Sequence, residues 1–265
     1  MSGNRLAQIE RNNMKTAIIT GAASGIGQTT ARLFADRGYT VVGCDRDESG
    51  LQLTAHHIGA TGGNFEFGIV DVTSESDIST VIEKTKEKYG VISAVVSCAG
   101  IARTGKIHET PRSEWDLQIA VNLTGTYLLA KHAMQVFVKQ KAGNFVAVSS
   151  DAGVRGASGY AAYCASKHGV IGLIRCLALD YGQHGIRSNA VCPGFVQTKI
   201  MDQIFAEAVN PEQEKQSYMK EIPLGRFATP DEIGRVIHHL CSDDAAYTNG
   251  AIYSIDGGVT AGHFG

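Results

Sequence analysis

No stretch of this 265-residue chain approaches the roughly 20 consecutive apolar residues that a membrane-spanning helix needs. Residues 1–13 are polar and hold no apolar run of signal-peptide length, so a cytoplasmic protein without a membrane partner is expected. Basic blocks are also missing: 24 Lys and Arg stand against 26 Asp and Glu, a net charge of −2. That balance lacks the clustered cations that a nucleic-acid backbone binder requires, so no nucleic-acid partner is expected. The six cysteines, Cys44, Cys98, Cys164, Cys176, Cys192 and Cys241, show no CxxC or other metal-ligand spacing, and reduced core thiols are expected. His56-His57 and His238-His239 are adjacent pairs rather than ligands one helical turn apart, and HExxH is absent. They read as solvated or capping histidines, and no metal is expected. There is no internal repeat, low-complexity tract or abrupt compositional change. With 43% hydrophobic residues the chain can bury one sizeable core, so 14–265 reads as a single domain and 1–13 as a flexible extension.

What is present is an alternation. Short apolar runs at 15–20, 39–44, 64–70, 91–97, 143–149, 186–192 and 250–255 read as strands, and helical periods occupy about 25–37, 76–89, 113–141, 161–184 and 230–241. Strands apolar on both faces, separated by amphipathic helices, predict an α/β, doubly wound parallel sheet covered on both sides. Thr229-Pro230-Asp231-Glu232 is a helix start, with Thr229 at the N-cap and acids near the positive end of the dipole. From 195 to about 222 the pattern weakens into two polar helical stretches divided at Asn210-Pro211, a connection long enough to be read as a substrate lid.

The first strand runs into Thr20-Gly21-Ala-Ala-Ser24-Gly25-Ile26-Gly27 and then a helix. Glycines in that position let the backbone turn tightly and approach a pyrophosphate, which the helix N-terminus attracts without a positive side chain. Gly21, Ser24, Gly25, Ile26 and Gly27 are therefore candidate dinucleotide contacts. Asp45 ends the second strand, where a carboxylate accepts from the ribose hydroxyls and repels a 2′-phosphate, which predicts NAD. Arg46 beside it can pair with a phosphate and keeps NADP as the alternative. Tyr163 and Lys167, four apart on one helix, place a phenol beside an ammonium. A neighbouring cation is expected to lower the phenol's pKa from about 10 and make it a usable acid or base.

With Asp71-Val72, Asn122, Ser150, Tyr163-x-x-x-Lys167 and Pro193-Gly194 following the glycine turn in this order, residues 20–257 closely resemble the short-chain dehydrogenase/reductase family. The resemblance implies a Rossmann sheet of seven parallel strands, a nicotinamide cofactor, and homotetramers or dimers built through the helices near 113–141 and 161–184. It implies that Tyr163 is the general acid or base, that Lys167 lowers its pKa and holds the nicotinamide ribose, that Asn122 holds a water linking Lys167 to solvent, and that Ser150 hydrogen-bonds the substrate oxygen. Asp71 and Val72 would meet the adenine, Cys98, Ala99 and Gly100 the adenosine ribose, and Val196 and Thr198 the carboxamide and phosphate side. The chain departs from the family in having Ser97-Cys98 where two asparagines are usual, which puts in doubt the side-chain bonding that steadies the fourth strand.

These implications predict an NAD-dependent enzyme interconverting a secondary alcohol and a ketone. An NADP-dependent ketone reductase and a cofactor-sensing interaction protein are the alternatives. Family enoyl reductases usually separate the tyrosine and lysine by more residues than here, and dehalogenase relatives lack the lysine and the glycine turn. Substrate contacts are expected from Ser150, Arg155, Tyr163 and Phe195. Arg103, Arg155 and Lys199 favour an anionic substrate, whereas Phe195, Phe205 and Tyr160 favour a cyclic or aromatic alcohol.

Overall fold

The computed structural model describes residues 15–262; the extension expected over 1–13 lies outside them. Seven strands form one parallel sheet: β1 (Thr16–Thr20), β2 (Thr40–Asp45), β3 (Asn64–Ile69), β4 (Ala94–Ser97), β5 (Gly143–Val148), β6 (Ile186–Pro193) and β7 (Ile252–Ile255), in the order β3-β2-β1-β4-β5-β6-β7. Helices α1 (Gly25–Asp36), α2 (Glu48–Ala60) and α9 (Pro230–Cys241) cover one face. Helices α3 (Glu75–Tyr89), α5 (Gly125–Gln140) and α6 (Ala161–Tyr181) cover the other. The period of two along a strand divides the core: Ala17 and Ile19 of β1 join the first layer while Ile18 joins the second. This is the doubly wound Rossmann architecture that the alternation predicts.

Four local features depart from the sequence reading. Helix α2 shows no clear apolar stripe because two of its buried positions are Gly50 and Thr54. Thr54 is buried through its hydroxyl, which has Ala22 O and Gly50 O as alternative acceptors at 2.9 Å and accepts from Gln28 Nε2 at 2.9 Å. The helix expected over 113–141 is divided into α4 (Arg112–Gln118), a π-helical turn (Ile119–Thr124) and α5. The edge strands are not covered on both faces: in β3, Phe67 and Ile69 are exposed. Nor are the thiols all in the core, since Cys176 is exposed while Cys98 and Cys164 are half-buried.

The segment read from sequence as a lid forms α7 (Lys199–Glu207) and α8 (Pro211–Glu221). Asn210 caps α8 by accepting from Gln213 N at 3.1 Å, with Pro211 in the first turn. Thr229 and Glu232 make a reciprocal capping box at the start of α9. No described helix is long and apolar enough to cross a membrane.

His238, near the end of α9, is neither solvated nor a cap. Its ring packs against Phe34 and Tyr39, with centroids at 5.2 and 6.0 Å, and its Nδ1 accepts from Arg37 at 2.9 Å. Burial, then the charges of Arg37 and Lys15, lower its pKa from 6.5 to about 4. The unfolded chain therefore binds a proton near pH 6.5 that the folded chain refuses until about pH 4. The stability this histidine contributes is complete above pH 6.5 and is lost as pH falls through that window. The ring is half-buried, so solvent screening reduces the effect to about 1 kcal/mol. Denaturant unfolding at pH 7.5 and pH 5 is expected to show this loss, and H238Q, which keeps an acceptor for Arg37, is expected to remove most of it.

Candidate active site

At the carboxyl ends of the strands, a cavity of about 340 Å³ opens beside the β1–β4 junction, where successive connections turn to opposite faces. Every position read as a cofactor contact lines it: Gly21, Ser24, Gly25, Ile26, Gly27, Asp45, Arg46, Asp71, Val72, Cys98, Ala99, Gly100, Val196 and Thr198, together with Ser150, Tyr163 and Lys167. Three expected residues do not line it. Asn122 lies fully buried behind the wall. Phe195 packs its ring on Tyr218 at 4.8 Å, and Arg155 pairs with Asp151 and Glu221. The cavity also takes in Ile101, Ile200 and Met201, none of them singled out from sequence, and Leu117 and Val121, which lie outside every segment read as pocket. Their apolar side chains carry no motif, although Leu117 and Val121 lie one turn apart on the helix leading into α5.

The glycine turn is shaped by steric demand. Gly21 and Gly25 have φ of 70° and 52°, in the left-handed region. A Cβ on Gly21 would lie 2.8 Å from Ala99 N, and one on Gly27 would lie 2.1 Å from Gly21 O. The turn thus closes on itself and on the end of β4. Asp45 locks it to β2, accepting from Ala23 N at 3.2 Å and from Asp47 N at 3.1 Å. Neither Ser24 nor Thr198 spends its side chain on capping the helix it precedes. A glycine cradle, uncapped hydroxyls and a carboxylate on one elongated cavity fit a dinucleotide. Gly21, Ser24, Gly25, Ile26 and Thr198 would hold its phosphates, and Asp45 its ribose. A bound nicotinamide would supply hydride exchange.

The family's two asparagines are replaced functionally by hydroxyls. Ser97 and Thr126 share a hydrogen bond at 2.9 Å, and Thr20 Oγ1 accepts from Cys98 N and Ala99 N at 3.2 and 3.3 Å. The end of β4 is therefore tied to β1 and α5 without an amide. Burial pushes the Cys98 thiol up to about 12, so it stays protonated and unreactive near neutral pH.

At the other end of the cavity, α6 presents Tyr163 and Lys167. Lys167 Nζ lies 5.6 Å from the Tyr163 ring centroid and donates to Val148 O at 2.8 Å. The lysine is 4% exposed, and burial lowers its pKa to about 8. The expected lowering of the tyrosine pKa by this cation is not what the structure has. Burial raises Tyr163 well above the ordinary phenol value, aided by the Asp151 charge, and the opposing hydrogen bond comes from Ser150. Desolvation penalises the charged form of both groups, so Tyr163 is held as a neutral acid and Lys167 as a weak one.

Asn122 is a clamp. Its amide donates to Ile101 O at 2.9 Å and Ser166 Oγ at 3.0 Å, while its carbonyl accepts from Ile101 N at 2.8 Å. Its side chain thereby ties the loop after β4 to α6. The two serines that follow β5 make different bonds. Ser149 donates to Lys167 O at 3.0 Å, whereas Ser150 caps the short turn Asp151–Gly153 by accepting from Ala152 N at 3.2 Å. Chemically, the arrangement offers a phenol and a serine hydroxyl to one substrate oxygen at the end of a cofactor-shaped cavity.

Comparison with known proteins places this geometry in context. A family model described as "Enoyl-(Acyl carrier protein) reductase" matches residues 21–260. The chain is 37% identical over 245 residues to the 3-oxoacyl-[acyl-carrier-protein] reductase FabG of Thermotoga maritima, covering 92% of this chain and 97% of that protein. Among solved structures, levodione reductase superposes with a TM-score of 0.91 at 30% identity, over 94% of this chain and 98% of that one. An actinorhodin polyketide ketoreductase variant with NADPH superposes with a TM-score of 0.89 at 30% identity, over 93% and 97%.

G21A tests the cradle. Left-handed φ and the backbone contact with Ala99 are expected to lower stability by about 2 kcal/mol and to weaken dinucleotide binding at least tenfold. Denaturant unfolding and titration of NADH fluorescence measure the two effects separately.

Proposed function

The chain belongs to the short-chain dehydrogenase/reductase family, and within it we propose an NAD-dependent enzyme that interconverts a secondary alcohol and a ketone, with Tyr163 as the general acid or base. The observation that carries this reading is that Ser150, Tyr163 and Lys167 open onto the same cavity as the glycine turn and Asp45. In reduction Tyr163 gives its proton to the carbonyl oxygen, while Ser150 and Tyr163 stabilise the charge that develops there. In oxidation Tyr163 takes the alcohol proton. Lys167 positions the nicotinamide ribose and offers its own proton at a pKa of about 8, close to the working range of a relay.

The three-residue spacing of Tyr163 and Lys167 favours carbonyl or alcohol chemistry over the enoyl reduction in the matched family's description. Substrate would lie against Ile101, Leu117, Val121 and Met201, a mostly apolar wall that favours a cyclic or extended apolar body. Arg155 is removed from charge recognition by its pairing with Asp151 and Glu221, whereas Arg103 and Lys199 still line the cavity. Residues 195–222 act as the lid, and assembly is a homotetramer or dimer through α5 and α6.

NADP is the second reading, favoured by Arg46 at the cavity and by the NADPH of the ketoreductase structure. Against it, Asp45 lines the same wall, and Arg46 faces the Asp71 carboxylate, whose pKa is lowered mainly by Thr73 and in part by that arginine. NADH formation is followed from NAD, and NADPH from NADP, with pooled cyclic, aromatic, hydroxy-acid and sulfonate secondary alcohols. Turnover at least tenfold better with NAD is expected in one pool, and the reverse preference would overturn the cofactor assignment. Y163F is expected to lose at least a thousandfold in kcat while binding NADH as tightly as the wild type. Full turnover in that variant would refute Tyr163's role.

A further inference from the structure

Ser150 has a competitor for its only proton. Its Oγ donates to Asp151 Oδ1 at 2.8 Å, and Asp151 Oδ2 in turn receives Arg155 Nε and Nη2 at 3.0 and 2.9 Å. Arg155 Nη2 also reaches Glu221 Oε2 at 3.5 Å, at the end of lid helix α8. The side chain of Asp151 is only 13% exposed, so this is a nearly buried, fully partnered carboxylate one residue from the serine. None of the motifs that identify the site includes Asp151 or explains it.

We propose that Asp151 is a positioning residue that holds the Ser150 hydroxyl away from the ground-state substrate and releases it to the charged oxygen of the transition state, with Arg155 setting how tightly it holds. This rests on the alcohol–ketone reading of the site. A hydroxyl has one proton to donate, and a charge-assisted hydrogen bond is about twice as strong as a neutral one. A neutral carbonyl oxygen therefore does not win the Ser150 proton from a carboxylate. An oxygen that gains negative charge during hydride transfer does, so the serine's stabilisation is confined to the step where it accelerates the reaction. Arg155 draws charge towards Oδ2 and weakens the grip of Oδ1 on the serine. Because the same guanidinium contacts Glu221, lid and serine share one ionic link.

The groups facing the tyrosine fix the expected signs. Tyr163 is met by Asp151, Tyr160 and Cys164, all of which raise its pKa, by the Ser150 hydroxyl, which lowers it, and by Lys167 across its ring. Asp151 is faced by Arg155, with Glu221 behind it. Removing the Asp151 charge lowers the tyrosine's pKa, and removing its Arg155 partner leaves that charge uncompensated and raises it.

The test compares D151N and R155M with the wild type in alcohol oxidation across pH. D151N is expected to move the acid limb of kcat/KM to lower pH, a rate about threefold higher at fixed pH on that limb, and to lower KM for the ketone in reduction. R155M is expected to move the limb to higher pH. Shifts of the same sign in both variants, or a fall in kcat with an unmoved limb, would overturn the proposal and leave only a structural role. Tyr163 ionisation is also read without turnover, by alkaline titration of the phenolate absorbance that Y163F removes. A wild type that turns over no alcohol would refute the functional reading alone. Opposite absorbance shifts in the two variants would still uphold the link between Asp151 and Tyr163, and identical titrations would reject it.

Discussion

Lys167 is a cation that the fold keeps almost dry, with a single carbonyl, Val148 O, receiving its ammonium. Burying an ammonium costs several kcal/mol unless its surroundings are fixed to meet it, and the structure around it is organised to do so. Ser149 donates to Lys167 O, and Gly153 approaches so closely that a Cβ there would lie 2.3 Å from Ser149 Oγ and 3.0 Å from that carbonyl. Asn122 holds Ser166, which donates to Tyr163 O at 2.7 Å. Strand β5, the π-helical turn and the first turns of α6 are thus bound into one unit, whose effect is to fix two side chains one helical turn apart.

The π-helical turn belongs to this unit. An extra residue in a helical turn shifts the backbone from its usual pairing, and here the carbonyl of Asn122 accepts from Thr126 Oγ1 at 2.8 Å. The same Thr126 hydroxyl meets Ser97 at the end of β4. One hydroxyl therefore joins the helix carrying Asn122 to the strand that supports the cofactor cavity. The dinucleotide end and the proton-transfer end are connected through side chains that touch neither ligand, and their relative position follows from buried hydrogen bonds rather than from loop conformation.

Sequence made the seven strands legible because apolar runs in a parallel sheet are hardly interrupted, and the glycine turn because each glycine answers to a local steric demand. It concealed helix α2, where a glycine and a hydrogen-bonded threonine share the buried face with Leu51 and Ile58, and the π turn, which leaves no mark on apolar spacing. Within the site, the residue types and their order pointed to Tyr163, Lys167 and Ser150, which line one cavity. The bonds that set their behaviour were not legible, because they come from elsewhere in the chain or from competition between neighbours. Arg155 is read from sequence as a free cation, yet Glu221, 66 positions away, helps to neutralise it. The electrostatics of Tyr163 were misjudged for the same reason: a pairwise argument counts the lysine's charge and omits the dry surroundings that outweigh it.

Asp45 shows how one side chain ties cofactor preference to fold. Its two oxygens already receive Ala23 N and Asp47 N, so the carboxylate is part of the glycine turn before it meets any ribose. Each carboxylate oxygen has two lone-pair directions, which leaves acceptor capacity towards the cavity while the backbone bonds fix where the charge stands. A 2′-phosphate placed there would meet an anion that cannot swing aside without releasing the turn. Arg46 has Asp71 as a neighbour, so its charge is partly spent before a phosphate arrives. In the proposed NAD assignment, it is the immobility of the acid, more than the mere presence of an acid beside a base, that would disfavour a 2′-phosphate.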